Sequence, residues 1–287
     1  MKILDYIAIL RDKQALRRLR RHHHRLMPEV VQFVISDAGG RNELGRQMQG
    51  TASEAALFEI LGPAAEAHNA RLSFSQSGED LIVDFIFQAL RTEKPTYLDL
   101  GAYDPFQFSN TARFYLAGSI GVNVEPNPEQ YRRFQELRPR DINLNVGIAE
   151  RRGEMKYYLL DVPTLNTFSQ AEAQRYEREA GHRIVGQETI PVITLQDLLE
   201  SHCGGAFPDF LSVDIEGADE LVVANLGRQG SSPRVICIET MSYSKGGQGR
   251  KNDLLIQALR ARGYLLYADT YINSIFVQED LWRALKG

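Results

Sequence analysis

The residues of this chain best suited to chemistry are two acids 26 positions apart, Asp99 and Glu125. Asp99 stands near the end of a short apolar run in TYLDLGAYDPFQFSN (96–110), which breaks at Gly101 into a loop holding Ala102, Asp104, Ser109 and Asn110. Glu125 closes a second apolar run in GVNVEPNPEQ (121–130). An acid at the tip of a second strand, roughly 20 to 26 residues after a glycine turn, is placed to accept both hydroxyls of a ribose. The plainer alternative makes Asp99 a turn-capping acid and Glu125 a solvated strand end. Both acids follow apolar strands, which favours the nucleoside.

A dinucleotide suits this loop poorly. Pyrophosphate needs glycines at G-x-G-x-x-G spacing so that helix-terminal amides can approach it. The loop here reads G-A-Y-D-P and puts Asp104 where the anion would lie. The expected ligand therefore carries an adenosine-like ribose and a cationic group but no phosphate, and S-adenosylmethionine meets all three conditions. An NAD-dependent oxidoreductase on a similar sheet would require the phosphate-friendly loop.

These acids must be positioned by an alternating chain of strands and helices. From residue 75, SQSGEDLIVDFIFQAL reads as a helix, with Ser77 as N-cap and Asp80 at capping-box spacing. Strands are expected at 97–101, 121–125, 141–148, 209–215 and 234–240, with helices at 109–117, 129–137, 219–226 and 254–262 between them. The last two strands, 264–269 and 274–278, are joined by too few residues for a parallel crossover and should pair as a hairpin. Such alternation argues a doubly wound sheet with helices on both faces. An insertion at about 154–195, with strands at 155–160 and 189–194 around a helix rich in Glu and Arg, is expected to build a substrate site.

Composition narrows the class. With 43% hydrophobic and 24% charged residues among 287, the chain is ordinary for a soluble globular protein. No apolar run approaches the roughly 20 residues of a membrane span. The N-terminus places its basic residues after its apolar ones, the reverse of a secretory signal, so no export signal is expected. Two cysteines, Cys203 and Cys237, form no disulfide framework or metal pattern, which fits a cytoplasmic location.

Residues 1–25 hold eight basic side chains against two acids, a charge of +6, which leaves −10 for the remainder of a chain whose net charge is −4. That balance excludes a nucleic-acid binder. Ile3, Ile7, Leu10, Leu16 and Leu19 recur at helical spacing, so residues 1–70 are expected as a helical N-terminal extension. Its basic end is either a solvated helix face or a peripheral contact with anionic lipid or a protein partner. Residues 22–24 are consecutive histidines, which cannot converge on a metal from one helix face. The polar stretch 36–53 reads as a connection to the main domain at 71–287.

The pieces SQSGEDL, YLDLGAYDPFQFSNT, GVNVEPNPEQ, LNVG, LNTFS, PVITLQDLL, FLSVDIEGAD and ICIET, in this order, closely resemble the FkbM-type methyltransferase family. The resemblance covers roughly 74–278. It implies a class I methyltransferase (Rossmann-like) α/β fold, with a seven-stranded, mostly parallel sheet whose last strand is antiparallel. It also implies S-adenosylmethionine-dependent O-methylation of a hydroxyl on a sugar, glycan, or glycosylated or polyketide small molecule. By this resemblance Asp99, Gly101 and Ala102 form the methionine-binding loop and Glu125 the ribose site. Val146 and Gly147 edge the adenine, where close backbone approach would explain the glycine. Asn110 either touches the amino-acid end of the cofactor or caps the following helix.

Asp214, at the tip of the fourth strand, is placed to take a proton from the acceptor hydroxyl as general base. Alternatively, Asp214 with Glu239, joined by Glu216, offers hard oxygen ligands for magnesium, which would lower the hydroxyl's pKa directly. Glu216 also suits the first turn of the next helix. Thr167 and Phe168 in the inserted LNTFS loop are expected at the acceptor together with Glu216, with Phe168 as a mobile aromatic lid. His182 and His202 are lesser candidate bases, and Arg175 and Arg178 either surface residues or anchors for an anionic substrate. A non-catalytic nucleoside-binding or scaffolding module of the same fold is the competing reading.

Overall fold

The computed structural model describes residues 73–215, 219–227, 230–241 and 249–285. The N-terminal extension and its domain boundary, its basic helix and histidines, the 36–53 connection and Glu216 lie outside the described residues.

The first helix, α1 (Glu79–Ala89), begins after Gly78, whose φ of 90° is in the left-handed region. The expected capping box is not made. Ser77 contributes its backbone amide to Glu79 Oε2 at 2.7 Å, and Asp80 turns back to receive Ser73, Phe74 and Ser75. There follow β1 (Tyr97–Leu100), α2 (Ala112–Leu116), β2 (Gly121–Val124), α3 (Pro128–Leu137) and β3 (Ile142–Leu144). Asn127 caps α3 by accepting from Glu129 N at 3.0 Å, with Pro128 at the first helical position, where its missing N–H costs nothing.

The next part of the chain builds β4 (Gly147–Ile148), β5 (Gly153–Leu160), α4 (Gln170–Arg175) running into a π turn at Tyr176–Ala180, and β6 (Ile184–Ile193). The chain then returns through α5 (Leu195–His202), β7 (Phe210–Val213), α6 (Asp219–Asn225), β8 (Val235–Glu239), α7 (Asp253–Arg260), β9 (Tyr264–Asp269), β10 (Asn273–Gln278) and α8 (Glu279–Ala284).

Seven strands form one sheet in the order β3-β2-β1-β7-β8-β10-β9. The pairs from β3 to β8 are parallel, and β10 runs antiparallel to both β8 and β9. This is the expected Rossmann-like methyltransferase architecture. The order reverses at β1/β7, the point where open α/β sheets bind ligands. One expected strand is corrected: 141–148 divides into β3 in the large sheet and β4 in a second, three-stranded sheet ordered β4-β6-β5. The break falls at Asn145, whose Nδ2 donates to the carbonyls of Glu125 and Pro126 at 2.9 and 2.8 Å. The chain is thereby pulled off the sheet edge.

The central strands are buried on both faces, and side chains alternate between them. Leu98, Leu100, Leu211, Val213, Ile236 and Ile238 meet helices α5, α6 and α7 on one side. Tyr97, Phe210, Val235 and Cys237 meet Val83, Ile86 and Phe87 of α1 and Phe114 of α2 on the other. Fully burying one such aliphatic or aromatic side chain is worth roughly 1.5–3 kcal/mol. Asp99 shares its face with Tyr97, so it points toward α2 and not toward solvent.

A buried ion pair fastens this face. Arg138 and Asp141, both with fully buried side chains, lie 2.8 Å apart. Asp141 also accepts from Tyr97 Oη (2.7 Å), Gly121 N (2.9 Å) and Asn123 Nδ2 (3.0 Å). Gly121 has no room for a side chain, because a Cβ there would lie 2.0 Å from the Tyr97 ring. Arg138 donates to Thr111 Oγ1 at 3.1 Å, and Thr111 Oγ1 donates to Asp99 at 2.6 Å.

Candidate active site

A cavity of about 1190 Å³ opens over the C-terminal tips of β1, β2, β7 and β8 and runs under the three-stranded sheet. Asp99, Gly101, Ala102, Asn110, Glu125, Val146, Gly147, Thr167, Phe168, Asp214 and Glu239 all line it. His182, His202, Arg175 and Arg178 do not. His182 Nδ1 lies 3.4 Å from Asp161, and Arg175 is held by Glu172 at 2.6 Å.

The loop after β1 is built by close approach. Gly101 has φ +77°, and a Cβ at that position would lie 1.8 Å from the carbonyl oxygen of Asp214. Only glycine fits between the tips of β1 and β7. The amides of Gly101 and Ala102 both donate to the Val124 carbonyl, at 3.0 and 3.1 Å. Tyr103, with φ +55°, donates its amide to Glu125 Oε2 at 2.7 Å. Every amide from 101 to 103 is therefore occupied within the fold, leaving none for a phosphate. Asp104 is not the repelling group that the sequence suggested. It turns away from the cleft to receive the amides of Phe106 and Gln107 and to pair with Arg133.

Glu125 ties two loops together. Its Oε1 accepts from Asn127 N at 2.7 Å while Oε2 takes Tyr103 N, and only 5% of the residue is exposed. Burial pushes its carboxyl up to about 8, with the charges of Asp99 and Asp214 adding to the shift and the two amide bonds opposing it. Each carboxylate oxygen can accept a second hydrogen bond. Glu125 can thus hold two further hydroxyl donors, one on each oxygen.

Burial likewise raises Asp99, opposed by the hydrogen bond from Thr111, the nearby charge of Arg138 and a hydrogen bond to Ser212. Asn110 does not cap α2. Ser109 Oγ receives the amide of Ala112 at 3.1 Å, and Asn110 Nδ2 instead reaches across to Ser212 Oγ at 3.2 Å. Thr111, Ser212 and Arg138 were not singled out from the sequence. Arg138 sits in the polar string RPRD and carries no local sign of burial.

Asp214 follows β7 with its carboxyl open to the cleft and its surroundings dense with protein atoms. Burial and the negative charge of Asp219 raise it to about 6, while a hydrogen bond with Glu239 opposes the rise. That hydrogen bond joins the two carboxyls at the tips of β7 and β8. Among the described residues no three His, Cys, Asp or Glu side chains converge as a metal site. The magnesium route expected from the sequence is left with the Asp214–Glu239 pair, since Glu216 lies outside the described residues.

The far wall is made by Gly147 and the inserted LNTFS loop. A Cβ on Gly147 would lie 2.4 Å from Phe168 Cζ, so the missing side chain makes room for this ring. Phe168 is seated against Gly147 and Tyr157, with a centroid distance of 4.7 Å to the latter ring. Thr167 is 1% exposed, pairs with the Tyr158 backbone in both directions and accepts from Ser169 N through Oγ1 at 3.0 Å.

No curated protein matches the chain. Residues 99–266, more than half of its 287, match the family model described as the methyltransferase FkbM domain. A Rossmann-like sheet with this strand order and an acid-lined cleft at its switch point accords with that match, and the chain belongs to the FkbM methyltransferase family.

Proposed function

We propose that the chain is an S-adenosylmethionine-dependent O-methyltransferase acting on a hydroxyl of a sugar, glycan, or glycosylated or polyketide small molecule. The observation that carries this reading is the pairing of Glu125 and Asp99 at adjacent strand tips around a loop whose amides are all occupied. Such a cleft suits a nucleoside with a cationic arm and disfavours phosphate. Its volume, about 1190 Å³, exceeds the roughly 300–1,000 Å³ of a single-ligand site. Donor and acceptor can share it.

When bound, S-adenosylmethionine supplies a methyl group activated on a sulfonium. The residues of this chain align, shield and deprotonate. Glu125 accepts the ribose hydroxyls, and Asp99 faces the ammonium. Phe168, Gly147 and Val146 form the apolar wall for the adenine. Asp214, whose carboxyl burial raises to about 6, takes the proton from the acceptor hydroxyl, and Glu239, hydrogen-bonded to it, fixes its orientation. Orientation and dehydration of reactants can lower such a barrier by on the order of 7–11 kcal/mol.

Calorimetric titration of the full chain with S-adenosylmethionine, adenosine and NAD tests this reading. The first two bind and NAD does not. Tighter binding of NAD than of adenosine would overturn it.

A further inference from the structure

Backbone strain gathers at the cleft. Among the described residues four other than glycine have a positive φ, and three of them, Tyr103, Phe108 and Tyr271, are aromatic and line the cavity. Glycine or asparagine is the ordinary choice at such a φ, and a bulky side chain is disfavoured there. Residues held in this way cluster at ligand sites, where their surroundings over-determine them. Tyr103 and Phe108 stack on each other, with centroids 6.4 Å apart and ring planes at 22°. Tyr271, with φ +78°, is 54% exposed, and the mechanism above gives it no role.

The turn that carries Tyr271 is held at each of its residues. The Tyr271 amide donates to Asp269 Oδ1 at 2.8 Å, and its carbonyl accepts from Lys251 Nζ at 2.7 Å. Thr270 Oγ1 and Asn273 Nδ2 donate to the buried carboxyl of Glu79, at 2.6 and 3.1 Å. The Ile272 carbonyl accepts from Thr240 N at 2.9 Å, and Asn273 stands opposite Glu239 in the β8–β10 ladder. In the sheet order β8, β7 and β1 separate β10 from β2, whose tip carries Glu125. Tyr271 therefore belongs to the acceptor end of the cleft and not to its ribose end. Asn273 lines the same cavity. With Nδ2 committed to Glu79, its Oδ1, to which no described residue donates, remains to accept a hydroxyl. An exposed flat ring next to a fixed carbonyl oxygen suits a ligand with one apolar face and hydroxyls around its rim. A pyranose has that form and an aliphatic polyketide does not.

We infer that Tyr271 is the stacking platform for a pyranose ring of the acceptor, with Asn273 Oδ1 receiving one of its hydroxyls. This rests on the reading of the cleft proposed above. The test titrates the full chain, saturated with S-adenosylhomocysteine, with the methyl pyranosides of glucose, galactose, mannose and rhamnose, and follows saturation transfer to the ligand protons by NMR. Cyclohexanol, a six-membered ring with a single hydroxyl, is the comparison. At least one pyranoside is expected to bind more tightly than cyclohexanol. Tyr271→Ala should weaken that pyranoside about five- to tenfold, the loss of roughly 50 Å² of apolar contact. Tyr271→Phe, which keeps the ring, should stay within twofold. Both variants should bind adenosine as the unaltered chain does, which shows that they are folded. If the pyranoside binds Tyr271→Ala as well as the unaltered chain, if cyclohexanol binds as tightly as every pyranoside, or if no pyranoside binds a chain that does bind adenosine, the inference fails alone. If adenosine does not bind the unaltered chain either, the reading beneath it fails as well.

Discussion

Replacing Glu125 by Gln isolates the ribose site. The two side chains have the same shape, but Gln carries one acceptor oxygen and one NH₂ where Glu125 places two acceptors, each 2.7 Å from a backbone amide. Whichever way the amide turns, a donor faces either Tyr103 N or Asn127 N. One ribose hydroxyl loses a charge-assisted hydrogen bond, worth about 1.5–3 kcal/mol, so adenosine should bind roughly 10- to 150-fold more weakly. Adenosine is the right probe because it carries the ribose without the ammonium.

The pH dependence has a definite sign. Burial raises Glu125 to about 8 in the empty protein, and hydroxyl donors favour its ionised form. Binding therefore releases a proton below pH 8, and affinity falls by up to about tenfold per pH unit as pH drops from 8 toward 6. Calorimetry in buffers of different ionisation enthalpy reads both quantities. In Glu125→Gln the profile should be flat. A variant that remains folded yet binds adenosine within twofold of the unaltered chain, with the same pH profile, would refute the assignment.

Other perturbations are equally direct. Gly101→Ala places a Cβ 1.8 Å from the Asp214 carbonyl at a φ of +77°, so thermal melting should fall by at least about 5 °C, reflecting more than about 2 kcal/mol of strain and displacement. An unchanged melting temperature would show that the β1 and β7 tips are not so closely apposed. Asp214→Asn should lower radiolabelled methyl transfer to a panel of sugars and glycosides about 10²- to 10⁴-fold while leaving adenosine binding within a few-fold, and should remove the rise in rate through pH 6. Retention of that rise would assign the base elsewhere. Gly147→Ala should destabilise by collision with Phe168, and adding Phe168→Ala should recover part of the loss. Strictly additive losses in a denaturation cycle would deny the contact.

The large sheet was legible because its strands are short apolar runs cut by glycine and acids, and their spacing left only one place for a hairpin. The acids at strand tips were legible for the same reason. What escaped is long-range. The split of 141–148 depends on Asn145 gripping carbonyls twenty and nineteen residues earlier. Gly147 makes room for Phe168, 21 positions on. Asp104 shares the polar look of its loop, but its direction is decided by Arg133 from α3. Arg138 looks like surface in RPRD and is instead the charge behind Thr111 and Asp99, stacked near Tyr97, Tyr115 and Phe134.

The most direct test of the cleft is a crystal structure of the full chain with S-adenosylhomocysteine. The expected density has both ribose oxygens within hydrogen-bond reach of Glu125 and the amino-acid arm lying along Gly101 toward Asp99. A nucleoside bound away from Glu125, or lying reversed with its base at Asp99, would contradict the account.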